Sequence, residues 1–183
     1  MHNALTFILF LGQSLVASSA AIDRRTYNDN AVQNVSPQPT TDLVYRETVL
    51  SIVDHYRMNH SAVPLVWSNV LASFALEQAN KCQLKHSGGP YGENIYWISS
   101  SSLNFTEATQ WAVEAWMSEE PLYSPSNPLN ALHYTALVWK NSRRIGCAWT
   151  NSACPASVNG GFYFFCEFDP MGNILGEFPQ NVS

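Results

Sequence analysis

The sequence predicts an α+β fold in which helices come first and an antiparallel sheet follows. Three helical patterns precede residue 121, and β-rich runs separated by turn residues occupy the remainder of the chain. The last run, FYFFCEF at residues 162–168, is apolar at nearly every position, so we expect helices to cover both faces of the sheet. Because the helices precede the strands instead of alternating with them, and no internal repeat is present, a parallel doubly wound fold is not predicted.

The amino-terminal region indicates in which cellular compartment the protein folds. Residues 4–17 are largely apolar and too few to span a bilayer, and small residues follow at 18–21. We interpret residues 1–20 as a secretory signal peptide, with a retained anchor as the alternative. Residues 21–41 are polar and without periodicity, which predicts a flexible arm before a domain at residues 42–180. The protein is therefore predicted to be secreted and extracellular, without stable membrane insertion.

Three helices are predicted from capping residues and from apolar spacings of three and four. The first begins after Asp42 and ends near His60. The second begins after Ser68, and the third begins with a capping box at Asn104 and is closed by Pro121. The predicted buried faces are Tyr45, Val49, Ile52, Val53 and Tyr56, then Leu71, Ala72, Ala75 and Ala79, then Ala108, Trp111, Ala112, Ala115 and Trp116.

Three strands are predicted after a Pro, Asn and Ser-rich loop at residues 123–132. They span residues 134–139, 145–148 and 162–168, which are rich in β-branched and aromatic side chains. The last two runs each hold one Cys near the middle, so we expect them to pair as antiparallel neighbours.

Four cysteines, Cys82, Cys147, Cys154 and Cys166, predict two disulfides in a secreted chain. Four cysteines allow three connectivities. Strand adjacency favours Cys147 with Cys166, which leaves Cys82 for Cys154. A structural zinc site is the alternative, although the chain lacks the close Cys-x-x-Cys pair that such sites use.

The charge of the chain excludes one class of binding partner. The net charge is −5 at pH 7, and basic residues are not clustered beyond the pair Arg143 and Arg144. Nucleic acid is therefore not predicted as a partner. Asn59 and Asn104 stand in Asn-x-Ser/Thr sequons and are predicted glycosylation sites.

Four polar residues form a candidate site. His86 and Glu93 lie in the glycine-rich segment KHSGGPYGENIY, which we interpret as a loop that aims both side chains. Glu119 ends the third helix, and His133 precedes the first predicted strand. Two imidazoles and two carboxylates suit a divalent metal or acid–base chemistry. The alternative is that they are ordinary hydrogen-bonding groups and that Glu119 is a solvated helix end.

Four segments in order carry a family resemblance: HSGGPYGENI, AVEAWMSE, HYTALVWKNSRRIGCA and FFCEFDPMGN. The chain resembles the CAP superfamily, the cysteine-rich secretory, antigen 5 and pathogenesis-related class 1 proteins with an SCP domain, across residues 43–179. Within the family, it most resembles the secreted fungal members. The resemblance implies a three-layer α/β/α sandwich with a central antiparallel sheet. It also implies a central cleft lined by His86, Glu93, Glu119 and His133, with the two histidines binding zinc or magnesium, and the same disulfide pairing.

The function favoured by these features is that of a secreted, non-enzymatic protein that binds a sterol, a fatty acid or an extracellular protein. The resemblance to secreted fungal members implies sterol binding through a loop with a caveolin-type spacing of aromatic residues. No such spacing occurs in this sequence. One alternative is a metal-dependent hydrolase, although His-Glu-x-x-His and Gly-x-Ser-x-Gly are both absent. Another is a precursor whose C-terminal peptide is released between Asp169 and Pro170.

Overall fold

A computed structural model describes residues 37–183 and confirms the α+β class. The predicted signal peptide and residues 21–36 of the predicted arm lie outside the described residues. Residues 37–41, the end of that arm, form a turn in which the Gln38 carbonyl accepts a hydrogen bond from the Asp42 amide at 2.8 Å. Regular backbone contacts therefore begin slightly before the predicted boundary of the domain.

Helix α1 (Leu43–Asn59) begins and ends where predicted. The Asp42 carboxylate accepts a hydrogen bond from the Tyr45 amide at 3.0 Å, and His60 ends the helix. An N-cap of this kind satisfies one of the amides that have no partner in the first turn.

Arg57 is a fully buried cation on α1 that the apolar pattern did not reveal. Its guanidinium donates hydrogen bonds at 2.8 to 3.2 Å to the carbonyls of Val63, Leu137, Trp139 and Ser142. Burial lowers the pKa of Arg57 to about 10, so the side chain stays charged at neutral pH. Arg57 thereby fastens α1 to a distant part of the chain.

Strand β1 (Val66–Trp67) and helix α2 (Asn69–Ala79) follow. The Ser68 hydroxyl accepts a hydrogen bond in the first turn of α2, as predicted. A β-carbon at Gly146 would collide with the backbone of α2, which shows how closely this helix approaches the sheet. All the residues predicted to be buried in α2 are buried: Leu71, Ala72, Ala75 and Ala79.

Strand β2 (Gly92–Ile98) was not predicted, whereas helix α3 (Phe105–Met117) was. The Asn104 side chain accepts hydrogen bonds from the amides of Thr106 and Glu107 at 3.1 and 3.3 Å. This confirms Asn104 as the N-cap of α3.

The buried face of α3 is turned away from the predicted one. Trp111 is 47% exposed and Ala115 is exposed as well, so placing both in the core was wrong. Apolar residues surround most of this helix, and spacing alone therefore did not fix which side faces the sheet. The buried residues are Phe105, Ala108, Thr109, Ala112, Val113, Trp116 and Met117.

Helix α4 (Leu132–Val138) occupies the segment predicted as the first strand, so that prediction was wrong. Residues 134–139 are all buried, and the run therefore lacks a polar face that would reveal a period of either 2 or 3.6. In such a run, β-branched and aromatic composition points to a strand even where the backbone forms a short helix.

The sheet is mixed rather than antiparallel. Strands β3 (Arg144–Trp149) and β4 (Phe162–Asp169) pair antiparallel, as predicted, and β2 pairs antiparallel with the other side of β4. Strand β1 adds parallel to β3, giving the order β1-β3-β4-β2. The short helix α5 (Phe178–Asn181) ends the described chain.

Alternate residues of β4 join two separate cores. Phe162, Phe164 and Phe168 pack with residues of α1, α3 and α4. Tyr163 and Phe165 pack with α2. Because successive side chains of a strand point to opposite faces, helices cover both faces of this strand. This arrangement explains the nearly continuous apolar run in its sequence.

Both predicted disulfides are confirmed. Cys147 and Cys166 are direct partners in the β3–β4 ladder, with Cα atoms 4.1 Å apart. Cys82 follows α2 and joins Cys154, with Cα atoms 5.8 Å apart. Neither cysteine pair is available for the alternative zinc site.

Strand β2 lies at the outer edge of the sheet, where the described strands pair with it only through β4. The buried Trp116 indole donates a hydrogen bond to the Ile95 carbonyl of β2 at 3.1 Å. A side chain of α3 thus satisfies a backbone acceptor on this strand. Among residues 37–183, none of the helices has both the length and the apolar character needed to cross a membrane.

Candidate functional site

Glu119 and His133 form a pair at the start of α4. The Glu119 carboxylate accepts hydrogen bonds from the His133 amide at 2.8 Å and from the Tyr134 amide at 3.3 Å. These amides belong to the first turn of the helix, where backbone donors have no partner within the helix. The carboxylate also lies 2.5 Å from His133 Nδ1. Glu119 is therefore a helix cap that also fixes an imidazole, rather than a solvated helix end.

His86 and Glu93 form a second pair. Glu93 lies on β2, so interpreting its position as part of a loop was wrong. Its side chain is 5% exposed, whereas that of His86 is 64% exposed. Glu93 Oε1 lies 2.7 Å from His86 Nδ1 and accepts the Ser87 amide at 2.9 Å. The carboxylate therefore sets the orientation of an otherwise exposed imidazole.

The two pairs share one chemical arrangement. In each, the imidazole donates through Nδ1 to a glutamate, which leaves Nε2 as the nitrogen that can bind a ligand. Asn94, next to Glu93 on β2, donates from its side chain to the His133 carbonyl at 2.9 Å. This contact links the two pairs through the strand. Across residues 37–183, the structure shows no cluster of three or more His, Cys, Asp or Glu side chains placed to hold a metal.

Glu167 is a buried acid beside this site that the sequence interpretation missed. It lies directly opposite Glu93 in the β2–β4 ladder and is fully buried. Its two oxygens and Glu93 Oε2 are buried without a hydrogen-bond donor among the described residues. Two carboxylates can bond to each other only when one of them carries a proton. Burial, followed by the neighbouring Glu93, raises the pKa of Glu167 to about 9.

The sequence did contain a signal for Glu167. It is the single charged residue inside the apolar run FYFFCEF, a strand expected to be covered on both faces. A charged side chain in such a strand is rarely buried without a specific partner. That partner could not be identified because β2 itself was not predicted.

A groove lies between α1 and α3, on the face of α3 where the prediction failed. Its volume is about 640 Å³, within the range of small-molecule sites. Trp111 forms part of its wall and is the large aromatic side chain that α3 leaves exposed there. The lining residues are Val44, Glu47, Thr48, Ser51, Ile52, Thr106, Glu107, Gln110 and Trp111.

The predicted glycosylation sites lie at helix ends. Asn59 is the last residue of α1, and Asn104 precedes α3; both are exposed. Asn104 uses its side-chain oxygen for capping, and glycans attach through the nitrogen. Capping of α3 is thus compatible with a glycan at Asn104.

Comparison with known sequences gives one family. Residues 50–168 match the model of the cysteine-rich secretory protein family, CAP. Pathogenesis-related protein 1C of Nicotiana tabacum is 37% identical over 125 residues, which are 63% of this chain and 69% of that protein. A probable pathogenesis-related protein of Candida albicans is 34% identical over 142 residues, covering 75% of this chain and 66% of the other. Fruiting body protein SC14 of Schizophyllum commune is 34% identical, with 69% and 63% covered.

Solved structures share the fold. The crystal structure of Na-ASP-1 matches with a TM-score of 0.62 and 24% identity over 81% of this chain, which spans only 43% of that larger protein. The crystal structure of NaASP2 with Zn²⁺ matches with a TM-score of 0.64 and 21% identity, covering 76% of this chain and 86% of the other. At these identities the likeness concerns the fold alone.

Proposed function

The chain belongs to the cysteine-rich secretory protein (CAP) family, and on that premise we propose that it is a secreted, non-enzymatic protein that binds a sterol or fatty acid. The observation that carries the proposal is the groove between α1 and α3, with the exposed indole of Trp111 in its wall. An exposed Trp beside a concave surface is typical of sites for apolar ligands. We include in the proposal the three-layer α/β/α arrangement of the family.

Secretion is supported by the two disulfides, because such bridges persist in oxidising compartments. The apolar leader at residues 4–17 supports it as well. The sequons at Asn59 and Asn104 lie on exposed positions, which is where an exported glycoprotein carries its glycans. An extracellular protein remains the alternative partner for the same surface.

A divalent metal site at the two histidine–glutamate pairs is the second function we propose. The support for this proposal is that each imidazole is oriented through Nδ1 by a carboxylate, the arrangement that accompanies metal-bound histidine. His86 and His133 would hold zinc or magnesium through Nε2, and the bound ion would supply Lewis acidity. Two protein ligands make a weaker site than the four of structural zinc. NaASP2, which shares the fold, has a crystal structure with Zn²⁺, and zinc is therefore the first ion to test.

Release of a C-terminal peptide after Asp169 is less favoured. Phe178 and Val182 lie beyond that bond and are buried in the main core. The Phe178 ring packs edge-on against Trp139, with ring centroids 5.2 Å apart. Cleavage at this bond would therefore free a segment that still contributes to the core.

Titration of the purified, folded protein with cholesterol, ergosterol and palmitate tests lipid binding. We expect saturable binding of at least one lipid, and no turnover of peptide or ester substrates. Trp111→Ala should weaken binding, since it removes the aromatic wall of the groove. Leu84→Ala is the matched control, because Leu84 is also exposed but does not line the groove. Flat titrations with all three lipids would contradict the proposal.

A further inference from the structure

The lining of the α1–α3 groove carries negative charge without a compensating cation. Glu47 lines it from α1 and Glu107 from α3, and both side chains are exposed carboxylates. The lining holds no Lys or Arg. The remaining polar side chains of the lining are neutral hydroxyls and one amide.

The arginines of α1 do not line this groove. Arg46 donates from Nε to the Pro39 carbonyl at 3.1 Å. Arg57 is buried, with its guanidinium on four backbone carbonyls. Helix α3 contains neither Lys nor Arg in its sequence. Neither helix therefore offers a cationic side chain to an anion in the groove.

Three of the neutral donors around the groove are already engaged. The amides of Thr106 and Glu107, which open α3, bind the Asn104 side chain. The Gln110 amide group donates to Glu114 at 2.6 Å. An ionised fatty acid placed here would thus meet two like charges, with neutral hydroxyls and the Trp111 N–H as the donors left in the lining.

We propose that this groove selects amphiphiles whose head group donates hydrogen bonds, such as a hydroxyl or an amine, and disfavours ionised fatty acids. The inference rests on the proposed lipid-binding function and names the ligand class within it. Carboxylates only accept hydrogen bonds, so Glu47 and Glu107 favour a donating head. The indole face of Trp111 adds attraction for a cationic amine or a flat sterol ring.

Three ligands with one sixteen-carbon tail isolate the head group: palmitate, 1-hexadecanol and hexadecylamine, each titrated below its aggregation limit at pH 7.5 and low salt. We expect the amine and the alcohol to bind about five- to tenfold more tightly than palmitate, the size expected for two solvent-exposed charges. The preference for the amine over the alcohol should shrink in high salt because ions screen exposed charges.

The double variant Glu47→Gln with Glu107→Gln should remove the discrimination and strengthen palmitate binding. Glu77→Gln is the matched control, an exposed acid on α2 outside the groove, and should change nothing. Each single variant is measured too, in case the double variant fails to fold. Palmitate binding as tightly as 1-hexadecanol to the unaltered protein, or a ratio unchanged in the variants, overturns this inference but leaves lipid binding standing. If none of the three ligands nor cholesterol binds the folded protein, both proposals fail.

Discussion

The two histidine–glutamate pairs use the same groups but are supported in different ways. Glu119 lies among the unpaired amides at the start of α4, which stabilise its charge. Glu93 lies on a strand opposite the buried Glu167, and its charge helps to keep Glu167 protonated. One carboxylate therefore caps a helix, whereas the other lies beside a buried acid that holds a proton in the fold.

The two pairs therefore differ in whether the fold itself requires them. The Glu119–His133 pair lies at a junction between α3 and α4, where a cap is needed whether or not a ligand binds. The Glu93–His86 pair includes an imidazole that is largely exposed and a carboxylate in unfavourable surroundings. Unfavourable burial of this kind is common at functional sites. Substitutions that alter one pair at a time test this contrast.

Glu167→Gln should give the largest effect. Burial raises the pKa of Glu167 to about 9 in the fold, from the ordinary value of 4.5. The folded protein therefore holds a proton that the unfolded chain loses, so the stability that Glu167 contributes is fully present below pH 4.5 and is lost as pH rises towards 9. The amide of Gln supplies the donor at any pH. Between pH 5 and pH 8 we expect the unaltered protein to lose roughly 4 kcal/mol of stability through this group, and the variant to show no such loss.

Denaturant unfolding at several pH values measures this difference. Glu77→Gln serves as the control, because that exposed acid on α2 should leave the pH profile unchanged. Parallel pH profiles for the unaltered protein and Glu167→Gln would show that Glu167 is not protonated in the fold.

Glu119→Ala should give the next largest effect. It removes the cap of α4 and should lower the free energy of unfolding by about 1 to 2 kcal/mol. Glu119→Gln retains an acceptor and should cost less. Glu93→Ala should cost less than Glu119→Ala at pH 8, because removing the Glu93 charge lowers the pKa of Glu167 and so offsets part of the loss of the Ser87 contact. Equal losses for Glu119→Ala and Glu93→Ala in chemical denaturation would erase the contrast between the pairs.

His86→Ala and His133→Ala should have the smallest effect on stability, less than about 1 kcal/mol each, since both rings are partly exposed. Together they should abolish divalent-metal binding in zinc calorimetry while the circular dichroism spectrum stays nearly unchanged. Binding in the unaltered protein should weaken in acid, because protonated imidazole cannot bind a metal. His55→Ala is the control, an exposed histidine of α1 outside both pairs. Undiminished zinc affinity would refute the site, and collapse of the spectrum would make the pairs structural.

Sequence reasoning succeeded where a local rule decides the outcome. Caps at Asp42, Ser68 and Asn104 placed three helix starts, since each supplies an acceptor that first-turn amides require. The disulfide between β3 and β4 followed from strand adjacency. It failed at α4, where the burial of residues 134–138 removes the periodicity on which such reasoning depends.

The residues of the candidate site could be named from the sequence, but their arrangement in space could not. His86, Glu93, Glu119 and His133 were all identified, yet their pairing depends on where β2 and α4 run in space. Glu167 was missed because its neighbour is set by the β2–β4 register, which is a long-range contact. Trp111 was assigned to the core because hydrophobicity alone does not show which face of α3 is turned inward.

The contact between Trp116 and the Ile95 carbonyl has a consequence for how copies of this protein behave in concentrated solution. An outer strand with open backbone acceptors can pair with a strand of a second chain through hydrogen bonds, and this is a common route to aggregation. The indole of Trp116 fills one of those acceptors from within the same molecule. A Trp116→Phe variant would keep an aromatic ring but leave that acceptor open. Trp116 thus leaves β2 with one fewer open acceptor for a second chain, in addition to packing in the core.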